Sequence, residues 1–194
     1  LLEGGEGSDT ASWAGQSAPL LIDLNLTTAQ NSGAGFDRLN GIEHLIGGAG
    51  NDRLSGNAGA NRLDGADGDD WLDGGAGNDT LTGGSAVDVI SGGSGNDNIT
   101  GGAGIDQLNG DDGADTINWS PGEGSDVVNG GGDDAEVLKQ HGALHDLLVG
   151  FEKRKLVKIQ SFHQPQLFVG SYLERIIQPE TIDRRFDLRG TVMQ

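Results

Sequence analysis

This 194-residue sequence predicts an all-β fold, a right-handed parallel β-solenoid, and three observations lead to it. First, residues 47–118 divide without a gap into eight nonapeptides: GGAGNDRLS, GNAGANRLD, GADGDDWLD, GGAGNDTLT, GGSAVDVIS, GGSGNDNIT, GGAGIDQLN and GDDGADTIN. Second, three columns stay in phase through all of them: glycine at position 1, Leu or Ile at position 8, and Asp at position 6 except at Asn61. Third, 36 glycines and a hydrophobic content of 34% leave little apolar material for a conventional core. Self-similarity at a short fixed period is the signature of stacked, quasi-one-dimensional architectures.

Taken in order, residues 1–46 read as irregular rungs at the N-terminal end. Residues 4–12 (GGEGSDTAS) and 32–40 (SGAGFDRLN) fit the template, with Asp9 and Asp37 at position 6. Between them Ile22, Leu24 and Leu26 alternate with Asp23 and Asn25, the period of a strand with one buried face. Residues 41–46 (GIEHLI) read as a short spacer strand. The regular repeats occupy 47–130, with a further copy at 121–129 (PGEGSDVVN) that puts Asp126 at position 6. From Ala135 the glycine rhythm stops. Apolar runs at 147–149, 156–159, 167–169 and 173–177 predict that residues 131–194 form a C-terminal, antiparallel β-rich cap. Such a cover suits a solenoid, whose open end exposes unpaired backbone.

Within each unit the first six residues are polar and glycine-rich, a turn in which glycines at positions 1, 2 and 4 can take positive φ. The last three, x-U-x, make a minimal strand with the apolar residue U inward. Two units then form one coil carrying two short parallel strands, and stacking sets position 6 of one unit above position 6 two units on, about 4.8 Å away. Two columns result: Asp52, Asp70, Asp88 and Asp106 on one edge, and Asn61, Asp79, Asp97 and Asp115 on the other. Two apolar side chains per coil bury too little surface to offset the ordering of the backbone, and stacked carboxylates repel. A cation between the turns answers both problems. Aspartate oxygens and glycine carbonyls, with no His or Cys in the loops, select a hard ion, and six or more flexible ligands favour Ca²⁺ over octahedral Mg²⁺.

The repeat GGxGxDxUx resembles the nonapeptide of the RTX (repeats-in-toxin, haemolysin-type) proteins, and the likeness extends over about two thirds of the chain. The resemblance implies a parallel β-roll binding several calcium ions, each between turn n and turn n+2. Its ligands are carbonyls 2 and 4 with Asp 6 of the lower turn, and carbonyls 1 and 3 with Asp 6 of the upper. Carried across, one site uses Gly48, Gly50, Asp52, Gly65, Asp67 and Asp70; the next uses Ala66, Gly68, Asp70, Gly83, Ser85 and Asp88; a third uses Gly84, Ala86, Asp88, Gly101, Ala103 and Asp106. On the opposite edge the sets are Asn57, Gly59, Asn61, Gly74, Ala76 and Asp79; Gly75, Gly77, Asp79, Gly92, Ser94 and Asp97; and Gly93, Gly95, Asp97, Gly110, Asp112 and Asp115. Inner aspartates such as Asp70 and Asp97 would bridge two ions, which implies cooperative binding. Asn61 brings a neutral oxygen and should make its site the weakest, while Ala86, in place of a position 4 glycine and followed by Val87, should strain its loop. The tail is similar to the segment that follows RTX arrays at 156–162 and 172–176. The resemblance also implies export through type I secretion machinery, guided by an uncleaved C-terminal signal; the sequence leaves open whether residues 185–194 belong to it.

Charge supports a cationic partner. The net charge is −18, and residues 1–134 carry 23 acidic and 3 basic side chains against 7 and 9 in residues 135–194. This argues against nucleic acid and anionic membrane. There is no cysteine, hence no disulfide framework, and no apolar run long enough for a transmembrane segment. The opening LLEGGEGSD has neither an initiator Met nor a signal peptide, so the chain is expected to be a fragment of a longer polypeptide.

Signatures of protease, lipase and nucleotide-binding chemistry (HExxH, GxSxG, P-loop, GxGxxG) are absent, and no enzymatic activity is expected of this chain. His141 and His145, spaced as on one helical face, lack a third metal ligand and read as cap histidines. Asp69 with Asp70 and Asp111 with Asp112 stand like paired glycosidase carboxylates but read as repeat loops. Trp71 and Trp119 suit sugar stacking, yet read as exposed or seam-packed. The row Thr80/Thr82, Asn98/Thr100, Thr116/Asn118 is too short and mixed for ice binding. The function expected is a secreted, extracellular calcium-binding module of a larger bacterial protein, disordered at low calcium and folding on binding. The alternatives are a C-terminal accessory module of a secreted protease, lipase or polysaccharide-modifying enzyme, or an adhesin end-piece taking a glycan or cell-surface ligand.

Overall fold

Each x-U-x triplet forms a strand whose central residue alone is buried, as in Arg53–Ser55, Trp71–Asp73 and Val127–Asn129. The structure, a computed structural model, describes residues 1–119, 124 and 126–131, with the backbone of the strands Val137–Gln140, Leu148–Gly150 and Lys158–Ser161. Successive units alternate between two parallel sheets in an 18-residue register: Trp71 lies opposite Arg53, Val89 opposite Trp71, Thr80 opposite Arg62 and Asn98 opposite Thr80. One sheet runs through Thr10–Ser12, His44–Ile46, Arg62–Asp67, Thr80–Ser85, Asn98–Ala103 and Thr116–Trp119. The other runs through Leu21–Asp23, Arg53–Ser55, Trp71–Asp73, Val89–Ser94, Gln107–Asp112 and Val127–Asn129. Leu54, Leu63, Leu72, Leu81, Ile90, Ile99, Leu108 and Ile117 are fully buried and join Leu45 and Val128 in one spine. There is no helix among the described residues. The chain is a parallel β-solenoid, as the period requires.

The turns are tighter than the sequence suggests. Pairing continues past x-U-x, with Gly84 opposite Gly102 and Ser85 opposite Ala103, so the turn proper is confined to positions 4 to 6. A left-handed residue at position 2, such as Gly93 at φ 100°, diverts the chain at the skipped position 1 and returns it to the ladder, much as a β-bulge does. Position 1 itself takes no positive φ, contrary to expectation; its glycine is required by close contacts described below. Ala66 (φ 80°), Ala86 (φ 82°) and Asp111 (φ 65°) occupy the left-handed positions without being glycine. The expected strain at Ala86 is therefore present, and Ala86→Gly should stabilise the calcium-loaded roll by about 1 kcal/mol in urea unfolding.

At the N-terminal end Thr10–Ser12 pairs in parallel with His44–Ile46. Residues 32–40 do not form a rung. Gln30–Asn31 and Phe36–Asp37 pair antiparallel beside Leu21–Asp23, and Leu39–Asn40 pairs with Leu2–Glu3 in a separate two-stranded sheet. Ser32 stands where a rung has glycine, and a tight turn closed by Ser32 N–H on Gly35 O (3.1 Å) makes a hairpin there instead. The alternation after Ile22 fails too: Leu24 is partly buried and Leu26 exposed. Asp23 turns the chain, its Oδ1 accepting the Asn25 N–H at 2.8 Å and its carbonyl the Leu26 N–H at 3.1 Å.

At the other end the described strands extend the roll rather than forming an antiparallel cap. Val137 lies parallel opposite Thr116, Leu148 opposite Val127 and Lys158 opposite Val137. The runs at 167–169 and 173–177, the segment 185–194, His141 and His145 lie outside the described residues.

Candidate metal centre

Position 6 ends the turn and precedes the strand, so its side chain folds back between coils. Asp52, Asp70, Asp79, Asp88, Asp97, Asp106, Asp115 and Asp126 are all buried there, as is Asn61. One oxygen of each carboxylate is committed to the coil below. Oδ1 of Asp70 accepts the Asp52 N–H at 2.7 Å, that of Asp88 the Asp70 N–H at 2.9 Å, and that of Asp106 the Asp88 N–H at 2.9 Å. In the other column Asp79 accepts from Asn61 at 2.7 Å, Asp97 from Asp79 at 2.8 Å and Asp115 from Asp97 at 2.9 Å. The two expected columns thus stand in register, and Asp126 continues the first.

The other oxygen is the feature that matters. Oδ2 of Asp70, Asp79, Asp88 and Asp97 is buried and has no hydrogen-bond partner. Backbone oxygens surround it. A Cβ built on Gly92 would lie 2.5 Å from Asp97 Oδ2 and 2.7 Å from Gly110 O, so the carboxylate and the position 1 carbonyl of the coil above converge over the same glycine. Carbonyls at positions 2 and 4 face upward: a Cβ on Gly75 would meet Asn57 O at 2.6 Å, and one on Gly77 would meet Gly59 O at 2.7 Å. Carbonyls at position 3 face downward. Ser85 O accepts the Gly68 N–H at 3.2 Å, Ser94 O the Gly77 N–H at 2.8 Å, Ala103 O the Ala86 N–H at 2.7 Å and Asp112 O the Gly95 N–H at 2.8 Å. Gly48 O likewise accepts the Asp67 N–H at 3.0 Å. The six residue sets named from the sequence therefore bracket successive inter-coil layers.

Chemically each layer is a surplus of oxygen acceptors, and a buried carboxylate oxygen lacking a donor is costly. A hard divalent cation is the partner such a set fits. Among the described residues no three His, Cys, Asp or Glu side chains gather at one point, so most of the oxygens of each layer are carbonyls.

Burial raises these acids, and neighbouring carboxylates add to it. Asp70 is pushed up to about 7 by burial and then by Asp88, Asp52 and Asp69, against the lowering effect of the Asp52 N–H. Asp88 is also raised to about 7 and Asp79 to about 6, while Asp97 is raised, burial being the main cause in each. In the unfolded chain such groups titrate at 3.8. Between the two values the metal-free roll holds more protons than the unfolded chain, so its stability is greatest below about pH 4 and is lost as pH rises through about 7. In chelator, circular dichroism should therefore show more β structure at pH 4 than at pH 8, and the reverse order would contradict these shifts.

Three features escaped the sequence reading. Glu43 stands in the position 6 column, since His44 pairs with Arg62, and its Oε2 accepts the Asp9 N–H at 2.8 Å. Asn61 does more than supply a neutral oxygen: Oδ1 accepts the Asn57 N–H at 2.7 Å and Nδ2 donates to Glu43 O at 3.0 Å, tying two coils together. Position 5 carries a second ladder, in which Oδ1 of Asn51, Asp69, Asn78 and Asn96 accepts the N–H of Asp69, Val87, Asn96 and Ala114 at 2.9–3.1 Å. Recurring Asn and Asp at position 5 was its visible signal. Asp69 is thus built into this ladder, and Asp111 accepts the Ser91 hydroxyl. Trp71 is half exposed with the Arg53 guanidinium carbon 3.3 Å from its ring centroid. The Trp119 side chain lies outside the described residues.

Four overlapping copies of the RTX calcium-binding nonapeptide repeat are matched, by residues 39–70, 46–81, 64–99 and 91–118. No curated protein matches the chain.

Proposed function

Because residues 39–118 are an array of RTX calcium-binding nonapeptide repeats, we propose that this chain is a non-catalytic, calcium-folded module of a larger secreted bacterial protein. The observation that carries the reading is the set of buried aspartate oxygens, at Asp70, Asp79, Asp88 and Asp97, that no protein donor satisfies. Calcium would be held in each layer by two position 6 side chains and the carbonyls of positions 1 to 4, in the six sets given above. Asp70, Asp79, Asp88 and Asp97 would each serve two layers, which makes uptake cooperative. In a cell, where calcium is scarce, the acidic turns repel and keep the array expanded for passage through type I machinery. Outside, weak sites with Kd of about 10⁻⁴–10⁻³ M fill and the coils stack. Of the alternatives, stacking of a glycan on Trp71 gains no support, since Arg53 already covers one face of that ring.

The test is a calcium titration followed by circular dichroism. A sigmoidal gain of β signal in the submillimolar to millimolar range, not reproduced by Mg²⁺, is expected. A β signal unchanged by excess chelator would overturn the proposal.

A further inference from the structure

We infer that the first two coils, residues 10–55, hold together without calcium and form the seed on which the calcium-dependent coils stack; this rests on the calcium reading above. The position 6 columns change character at this end. In the first column the residue below Asp52 is Leu20, which is buried and donates its N–H to Asp52 Oδ1 at 2.8 Å, so no carboxylate faces Asp52 from below. The second oxygen of Asp52 accepts the Gly48 N–H at 3.0 Å. Asp52 is therefore satisfied by backbone at both oxygens, unlike Asp70 or Asp88. In the second column this layer holds Asp9 and Glu43, and the next residue above Glu43 is the neutral Asn61. Asp9 Oδ2 is buried without a hydrogen-bond partner, but it is the one such oxygen in residues 1–69, whereas Asp79 and Asp88 each leave one on the two edges of a single regular coil.

Apolar packing compensates where ions are not needed. Ala11, Trp13, Leu20, Ile22, Leu39, Ile42, Leu45 and Leu54 are all buried within the cluster, with Leu24 packed against it. The regular array buries one Leu or Ile per nonapeptide, whereas this segment adds a tryptophan and packs apolar residues from loops as well as strands. Backbone bonds join the two coils: Trp13 N–H to Ile46 O (2.9 Å), Ala49 N–H to Gln16 O (2.6 Å), Arg53 N–H to Leu20 O (3.0 Å) and Leu24 N–H to Ser55 O (3.0 Å). Gln30, buried beside the first strand, accepts the Asp23 N–H at 2.6 Å and donates to Asp23 O at 2.8 Å, and its hairpin covers the sheet edge. In a stacked array stability is largely nearest-neighbour and starting the first interface is the slow step. A preformed first interface removes that step and sets the direction of growth, from the N-terminal coils toward the C-terminal ones.

Hydrogen exchange of the full chain read by mass spectrometry separates the possibilities. In excess chelator, peptides within residues 10–55 should exchange at least tenfold more slowly than the denatured chain, while peptides within residues 70–119 exchange at the denatured rate; calcium should protect both. Fast exchange of both segments in chelator would overturn the seed and leave the calcium reading intact. Protection of both in chelator would overturn the calcium reading and the seed with it. Leu20→Asp sets a carboxylate beneath Asp52 and should abolish the chelator protection of residues 10–55, with calcium restoring it. Undiminished protection in that variant would refute the role given to Leu20.

Discussion

Replacing Gly95 with alanine is expected to destabilise the calcium-loaded roll by about 4 kcal/mol or more, the range reserved for severe structural conflict. Gly95 sits at position 4 with φ 132°, where an L side chain is strained by about 1–2 kcal/mol. Its space is also taken. A Cβ there would overlap the Gly77 carbonyl oxygen, lie 2.6 Å from the Gly77 carbonyl carbon and 3.1 Å from Asn78 Oδ1. Backbone of the coil below is the obstacle, so no rotamer change relieves it and the two coils must part. Parting strains the bonds that close the layer: Gly77 N–H to Ser94 O, Asp79 N–H to Asp97 Oδ1 and Asn96 N–H to Asn78 Oδ1. At about 1 kcal/mol net for each, these add to the φ strain. Two controls divide the cost. Gly5→Ala meets φ 99° with nothing within 4 Å and should show the strain alone, about 1–2 kcal/mol. Gly35→Ala meets neither obstacle and should stay within about 0.5 kcal/mol. Urea unfolding at saturating calcium gives all three, and equal effects at Gly5 and Gly95 would mean that close approach of coils is not what position 4 protects.

The same contacts explain which parts of this structure are legible in the sequence. Positions 6 and 8 are side-chain positions whose identity is dictated by where they point, so the spine from Leu54 to Ile117 and both aspartate columns follow directly from the period. The oxygens that complete each layer are mostly carbonyls, which every residue has, and no residue type marks them. Residues 32–40 show how a partial match misleads: Asp37 and Leu39 sit correctly, but Ser32 occupies position 1, where the regular coils bring a carboxylate and a carbonyl against bare glycine. Asp37 accepts the Ser32 hydroxyl at 2.7 Å instead of joining a column. Glu43 fails in the opposite sense. Its turn, Gly41-Ile42, is shorter than the template, so it drops out of the nonapeptide frame, yet strand pairing at His44 returns it to the column. Frame and place coincide only where the turn length is constant, and the sequence records the frame.

Asp88→Asn should cost the calcium-loaded roll about 3 kcal/mol, close to twice the cost of Asp52→Asn, because a site filled to tenfold above its Kd contributes about 1.4 kcal/mol and Asp88 serves two. Asp88 is fully buried between Asp70 and Asp106, accepts the Asp70 N–H at 2.9 Å and donates its own N–H to Asp106. Asparagine keeps the shape and the backbone N–H that donates upward, as Asn61 N–H does to Asp79 Oδ1 at 2.7 Å, but its oxygen turns to its own coil, as Asn61 Oδ1 accepts the Asn57 N–H at 2.7 Å. What changes is the side facing the coil below, where an acceptor becomes an NH₂ donor toward a carbonyl, as Asn61 Nδ2 donates to Glu43 O at 3.0 Å. Such a donor satisfies the oxygens around it and displaces the need for a cation in the layers above and below. Asp52 differs because Leu20 lies beneath it, leaving one layer to lose, and its Oδ2 is already engaged by the Gly48 N–H. The Asp88 variant should also flatten the calcium titration, since the carboxylate shared between adjacent layers is what couples them, whereas the Asp52 variant should leave the slope nearly unchanged. Equal losses and equal slopes in the two variants would mean that the layers fill independently and that no aspartate is shared.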